Sequence, residues 1–346
     1  MKEQRTEWID IAKFIGIISI MAMHSDARTK PLDLFTAPYF LNIFYFASGY
    51  VYRGREKFSD FIKKKAKTLL LPWLIFGLFI VLSSHVFSFN EHDSLSTELK
   101  WFFVQIRNRD DHMWFLSTLF LAFIPFYFFA EKSDGSVRSL LLPFVLAICS
   151  TGFSYLAPNS IFPWNVKDMP SALPWHLELI FPAMFFMSAG YVFRQRLEIK
   201  FDALNTPKNR WILYGTYLAV FAVMVAVWDR LDAGSSAVIL YLRSFIGVAA
   251  VIALSKTVRI NPFISFVGRN TIVYYALNGK MESLLQVILR KIMGNLYPLL
   301  LSNQVVSSVF AVAISLITAV LLIIPTYIIN RWFPFILGRT KPNTNK

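Results

Sequence analysis

Apolar residues are grouped along this chain into long runs that are separated by short polar and basic segments. The hydrocarbon core of a bilayer is about 30 Å thick, so a helix of about 20 mainly apolar residues spans it. The pattern therefore predicts an all-α polytopic membrane bundle, built as one domain over residues 1–346. Windows of spanning length predict ten helices, at residues 8–24, 34–52, 69–88, 114–130, 139–156, 172–193, 211–228, 236–255, 271–289 and 305–330.

The composition excludes an ordinary soluble domain. Apolar residues make up 55% of the chain and charged residues only 16%, whereas a soluble domain carries about 25% charged residues. The mean hydropathy is +0.50. The first apolar run contains Asp10 and Lys13 and lacks a small-residue cleavage site, so we expect it to be the first span and not a cleaved signal peptide. The one cysteine, Cys149, allows no internal disulfide.

The net charge of +14 first suggests an anionic partner such as a nucleic acid. Most basic residues, however, fall in alternate loops, where the positive-inside rule places them in the cytoplasm. We therefore expect both termini to be cytoplasmic and no nucleic acid to bind. The basic residues on the predicted cytoplasmic side are Lys2, Arg5, Arg53, Arg55, Lys57, Lys63, Lys64, Lys65, Lys67, Lys132, Arg138, Arg194, Arg196, Lys200, Lys208, Arg210, Lys256, Arg259, Arg269, Arg331, Arg339, Lys341 and Lys346.

Two polar residues of the first predicted span share one helix face. Lys13 and His24 are eleven residues apart, which is about 20° past three full turns and about 16 Å along the axis. The plain interpretation is that Lys13 reaches towards the cytoplasmic interface and His24 is an interfacial polar residue. The alternative is that His24 is a general base, because a neutral imidazole accepts a hydroxyl proton near neutral pH.

Five regions of the chain occur in an order that resembles a known family. The first is Trp8–Gly16 followed by His24, in which a basic residue and His are separated by ten positions. The others are Phe46–Tyr50 with Phe61–Trp73, Met113–Phe120, Pro174–Glu178 with Phe185–Tyr191, and Phe266–Asn278. Together they resemble the acyltransferase family 3 membrane proteins, in particular the fucose 4-O-acetylase-like branch. Lys13 stands where many members of this family have Arg, so its role transfers as a cation and less securely as a two-pronged clamp.

The resemblance implies a donor site on the cytoplasmic side. Lys65 and Lys67 are expected to bind the phosphates of acetyl-CoA, since Thr68 occupies the position at which relatives have Arg. The positive-inside rule by itself also accounts for these lysines. No metal is expected, because the sequence has no paired Cys or His ligands at metal-binding spacing.

Five further residues are expected to contact the acceptor. Trp114 begins the fourth predicted span, and Glu178 and Arg243 lie within spans, where a charge needs a partner or a cavity. A Glu178–Arg243 salt bridge is the structural alternative. His176 and Glu178 are two residues apart, so their spacing predicts different helix faces. Tyr274 and Asn278 belong to the last motif, in which Asn278 replaces the usual His and cannot titrate.

The resemblance implies an integral membrane O-acyltransferase of the bacterial inner membrane. It would transfer acetyl from acetyl-CoA to a sugar hydroxyl of a surface glycan or exopolysaccharide, with His24 as general base and Lys13 as the second residue of the catalytic site. Transfer through an acetylated His24 is left open. The alternatives are a transporter of a lipid-linked sugar or polysaccharide, and a scaffold that has lost catalysis, which Thr68 and Asn278 favour.

Overall fold

The computed structural model describes residues 6–54, 56–87, 94–107, 112–156, 172–231 and 233–339, and these contain helices and no β-strand. This confirms the all-α prediction for the described part of the chain. The α-helices are α1 Glu7–His24, α2 Lys30–Thr36, α3 Asn42–Tyr50, α4 Phe58–Lys65, α5 Leu71–Phe87, α6 Leu95–Val104, α7 Trp114–Lys132, α8 Leu141–Leu156, α9 Ile180–Val192, α10 Glu198–Leu204, α11 Pro207–Val227, α12 Ala233–Ser255, α13 Pro262–Arg269, α14 Thr271–Met293, α15 Leu296–Leu301, α16 Gln304–Leu321 and α17 Ile323–Trp332.

Within the described residues, six continuous helical stretches are long and apolar enough to cross a membrane, so the protein is a multi-pass helical membrane protein. They are Phe58–Val86, Trp114–Lys132, Val137–Tyr155, Pro174–Leu204, Pro207–Val227 and Gln304–Trp332. Some join consecutive helices through short π-helical or 3₁₀ turns, as at Ala66–Leu70 between α4 and α5. The predictions of ten crossings and of cytoplasmic termini stay predictions.

The predicted helix at 34–52 is wrong as a single element, because it is divided into α2 and α3. Pro38 has no N–H group, so the carbonyl of Leu34 loses the amide donor that would follow it by four residues. The side chain of Arg243 donates to that carbonyl instead. The amide of Tyr39 bonds to Thr36 at 3.1 Å.

The carbonyl of Phe35 is freed by the same shift in the backbone pattern. A regular helix would pair it with the amide of Tyr39, which bonds elsewhere, and the hydroxyl of Tyr217 donates to it. The end of α2 is therefore completed by two long side chains, from α11 and α12, in place of backbone amides.

The chain divides into two compact units: Met1–Ala47 with Ile199–Ile328, and Ser48–Glu198 with Ile329–Lys346. We refer to them as unit 1 and unit 2. In unit 1, α1 packs against α12, α13, α14 and α16. Gly268 on α13 permits the closest of these approaches, since a Cβ atom there would lie 2.2 Å from the carbonyl oxygen of Asp10. The prediction of one domain stays a prediction.

Unit 2 is built on α9, which packs against α7 and α8. Here Gly49 has the role that Gly268 has in unit 1, because a Cβ atom at Gly49 would overlap the backbone of Met187. Aromatic rings fill much of the interior: Tyr52 packs edge-to-face against Phe61 and Phe126 at centroid distances of 5.5 and 5.2 Å. Such edge-to-face ring contacts add packing energy to a membrane protein interior.

Candidate functional site

His24 is the last residue of α1, and its side chain is exposed. Its Nδ1 atom lies 2.7 Å from the carbonyl oxygen of Ile20. Because a carbonyl only accepts, Nδ1 must carry the hydrogen of this bond, and in the neutral ring Nε2 then holds the free lone pair. The helix therefore fixes the tautomer that a general base acting through Nε2 needs.

Lys13 lies on the same helix, since α1 is continuous from Glu7 to His24. Its ammonium group is 3.4 Å from a carboxylate oxygen of Asp10, and Arg269 approaches the other oxygen at 3.4 Å. Asp10 is buried, with only 2% of its side chain exposed. The three side chains together carry one net positive charge. Asp10 therefore reduces the positive potential expected at Lys13 but does not cancel it.

A column of polar residues follows one face of α14 at four-residue spacing. Tyr274, Asn278 and Glu282 are all buried, and α14 packs against both α1 and α16. The hydroxyl of Tyr274 donates to the carbonyl of Ala319 at 3.1 Å. Among the described residues, Nδ2 of Asn278 has no hydrogen-bond partner. Buried polar atoms without partners are costly in a membrane protein and mark candidate functional groups.

Glu282 is not among the site residues predicted from the sequence. Its Oε1 atom accepts from Gln286 at 3.2 Å. The signal that predicts its importance is the four-residue spacing from Tyr274 through Asn278, which places all three on one helix face.

The two lysines expected to bind the donor lie in unit 2. The ammonium of Lys65 is 3.8 Å from the ring centroid of Phe123 and 5.5 Å from that of Phe61, so its charge is held over aromatic faces. Lys67 is exposed. Thr68, in the position that relatives fill with Arg, bonds through its hydroxyl to the carbonyl of Lys64 at 3.0 Å.

The expectation that His176 and Glu178 point apart is wrong. Nδ1 of His176 lies 3.7 Å from Oε1 of Glu178, and both side chains are buried. The reason is that α9 is preceded by a 3₁₀ turn at Pro174–Leu179, in which Trp175 and His176 have φ of 57° and 50°. The residue spacing of a regular α-helix therefore does not apply to this segment. Such backbone is uncommon for residues other than glycine.

The carboxylate of Glu178 already has protein partners. Arg107 donates to Oε1 at 3.2 Å, and the amide of Leu173 donates to Oε2 at 2.9 Å. Trp114 lies beside this cluster, with its ring centroid 5.0 Å from that of His176. Arg107 is therefore the residue of this cluster that the sequence did not indicate.

Arg243 is also satisfied by protein, as a buried donor to the carbonyl of Leu34. Its guanidinium carbon lies 5.8 Å from the ring centroid of Trp228. In unit 1 this side chain completes a broken helix, which accounts for a buried cation without an anionic ligand.

The comparisons with known proteins bear on the family. The family model described as an acyltransferase domain matches residues 6–327, which is nearly the whole chain. No curated protein and no solved structure matches, and the fucose 4-O-acetylase-like branch stays a prediction. Because the match includes the helix that carries Lys13 and His24 and the column on α14, the chain belongs to this family of membrane acyltransferases.

Proposed function

We propose that this protein is an integral membrane O-acyltransferase that transfers acetyl from acetyl-CoA to a sugar hydroxyl of a cell-surface glycan or exopolysaccharide, in the bacterial inner membrane. The observation that carries the proposal is the hydrogen bond from Nδ1 of His24 to Ile20, in a chain of an acyltransferase family. It leaves Nε2 as the proton acceptor at an exposed helix end.

His24 acts as the general base. Nε2 takes the proton of the sugar hydroxyl while its oxygen attacks the thioester carbonyl of acetyl-CoA. The new carbon–oxygen bond forms and the carbon–sulfur bond breaks, so that coenzyme A leaves as a thiolate and is protonated by the imidazolium. The products are the O-acetylated sugar and the free thiol. The carbonyl of Ile20 continues to accept from Nδ1 during the reaction and thereby keeps the ring in place.

Cations hold the donor. In unit 1, Lys13 interacts with the phosphates of acetyl-CoA, and Arg269 adds its charge around Asp10. Lys65 and Lys67, which lie in unit 2, stay predicted phosphate ligands. The rise of α1 between Lys13 and His24, about 16 Å, is comparable to the length of a pantetheine arm. This lets the phosphates remain near the basic end while the thioester reaches the histidine.

Trp114 in unit 2 and Asn278 in unit 1 are each proposed as an acceptor ligand within its own unit. The half-buried indole of Trp114 offers an apolar face to a sugar ring, and the carboxamide of Asn278 has a donor to spare. Glu178, Arg243 and Tyr274 have protein partners for their polar groups, so in this proposal they shape the acceptor site through the segments that they hold.

The decisive experiment replaces His24 and measures label from acetyl-CoA in alkali-labile esters of the carbohydrate fraction, in membranes that contain the full chain. His24→Ala and His24→Gln are expected to lower the rate by about 10²- to 10⁴-fold, the usual contribution of a general base. His85→Gln is the matched control, because His85 is also an exposed histidine in the last turn of a long apolar helix. Retained transfer at normal protein levels in the His24 variants would remove His24 from the mechanism.

The same labelled donor separates the alternatives. A transporter of lipid-linked sugar would move its substrate across the membrane without consuming acetyl-CoA. A scaffold without catalysis would leave the acetyl content of the surface glycan unchanged between cells with and without the protein, and it would not turn over acetyl-CoA. Either result would overturn the proposed acyl transfer.

A further inference from the structure

The segment that follows His24 is fastened to three other helices of unit 1. The chain leaves α1 at Ser25 with an extended backbone, φ −68° and ψ 148°. The carbonyl of Ala27 then accepts from Ser307 on α16 at 2.7 Å, and Thr29 bonds through its hydroxyl to Ser308 at 2.5 Å. The remaining anchor is Asp26, two residues after the histidine.

Asp26 is held from two helices. Arg290, in the last turn of α14, donates to Oδ2 at 2.5 Å, and the hydroxyl of Tyr297 on α15 lies 2.8 Å from each carboxylate oxygen. The guanidinium of Arg290 also packs over the ring of Tyr297, 5.4 Å from its centroid. Burial raises the pKa of Tyr297 to about 12, and its bond to Asp26 contributes to the shift. Tyr297 therefore remains a hydrogen-bond donor throughout the physiological pH range.

This arrangement determines where the imidazole of His24 can lie. The last turn of a helix frays unless the residues after it are held, since its final carbonyls lack amide partners. The bond from Nδ1 to Ile20 belongs to that last turn, so fraying would release the ring. A fixed Ser25–Asp26 segment keeps the turn closed.

We propose that Asp26 is a positioning residue for His24, and that Arg290 and Tyr297 hold it in that role. The inference rests on the proposed function, because it gives His24 a reaction to be positioned for. Asp26 does not touch the reacting groups; it acts through the orientation of the ring. A displacement of a catalytic group by about 1 Å lowers a rate by about 10²-fold.

The test compares Asp26→Asn with the wild-type full chain in membranes, with acetyl-CoA varied and the carbohydrate fraction kept in excess. We expect kcat to fall by about 10- to 100-fold with the KM for acetyl-CoA unchanged. Tyr297→Phe, which removes one of the two donors, should give a smaller loss in kcat. In a His24→Gln background, Asp26→Asn should cause no further loss, because a positioning residue has no effect once the group that it positions is gone.

Asp33→Asn is the matched control. Asp33 on α2 forms an ion pair with Arg28 at 2.7 Å. Loss of this ion pair should leave kcat and the KM for acetyl-CoA unchanged. Thermal unfolding in detergent checks that each variant is folded; if Asp26→Asn is not, Tyr297→Phe carries the comparison alone.

Three results would count against the inference. A folded Asp26→Asn variant with wild-type kcat overturns it, and so does an equal loss in the His24→Gln background, which would mean that Asp26 acts independently of the histidine. A wild-type chain that transfers no acetyl overturns the proposed function together with this inference. The first two results, obtained with an active wild type, overturn the inference alone.

Discussion

The clearest stability prediction concerns the hydroxyl of Tyr217, which donates to the carbonyl of Phe35 at the broken end of α2. Tyr217→Phe deletes the donor and adds no bulk. Tyr217 is 8% exposed, so little water can replace the lost bond. Leaving a buried carbonyl unpaired costs about 1–3 kcal/mol, and we expect the variant to lose about this much free energy of unfolding.

Tyr214→Phe provides a matched control on the same helix, three residues earlier. The Tyr214 hydroxyl is buried and has no partner among the described residues, so its removal should be neutral or slightly stabilising. The measurement is the free energy of unfolding of both variants, by denaturant titration in detergent micelles. Equal stability of the two variants would refute the claim that side chains from α11 and α12 replace the missing amides of α2. A stabilised Tyr217→Phe would refute it more strongly.

Three further predictions rest on single features. Gly268→Ala should destabilise the protein, because its Cβ would lie 2.2 Å from the Asp10 carbonyl oxygen. Gly279 has open space around it, so Gly279→Ala should stabilise the protein by up to about 1 kcal/mol through helix propensity. Thermal unfolding compares the two variants. Arg243→Met should lower expression and melting temperature, because Arg243 donates a hydrogen bond to the Leu34 carbonyl. The KM for acetyl-CoA should be unchanged in the folded variant, and a raised KM would indicate that Arg243 binds acetyl-CoA. The Ser136 amide, which donates to Asp134 at 2.8 Å, holds the pKa of that carboxyl below its ordinary value. The stability that the ionised Asp134 carboxylate contributes is therefore present above the ordinary carboxyl pKa and is lost as pH falls through the lowered value. In unfolding midpoints measured across a pH series, Asp134→Asn should reduce this loss of stability at acid pH.

The long apolar helices could be predicted from the sequence because lipid requires about 20 apolar residues for a crossing. α7, at Trp114–Lys132, begins at the predicted residue, and α11, at Pro207–Val227, differs from its predicted start by four residues. The break at Pro38 also had a signal, since proline cannot donate within a helix, but the apolar run across 34–52 outweighed it in the prediction. The short amphipathic helix α6, which Ser94 caps through the amide of Thr97, was missed because it is too short to span.

The site was predictable only in part. The eleven-residue spacing was enough to place Lys13 and His24 on one helix, because α1 is regular throughout. Helical spacing failed for His176 and Glu178, because Trp175 and His176 have left-handed backbone. No sequence pattern indicates that a residue such as Trp175 adopts a positive φ, since tertiary contacts impose it. The Asp26–Arg290 pair joins residues 264 positions apart, a separation that no local pattern detects.

Satisfaction of hydrogen bonds distinguishes two kinds of polar residue in this protein. Glu178 and Arg243 were candidates because a charge in lipid is costly. Both bond to other groups of the protein, and these bonds account for their burial without a ligand. The Nδ1 bond of His24 leaves Nε2 as its proton acceptor at an exposed helix end, and Asn278 has a donor without a partner among the described residues. In a chain of an acyltransferase family, these two groups on α1 and α14 are the ones proposed to bind substrate or take a proton. The chemistry is therefore expected on α1 and α14, and variants of His24 and Asn278 should lower transfer at unchanged stability, whereas Arg243 variants should lower stability first.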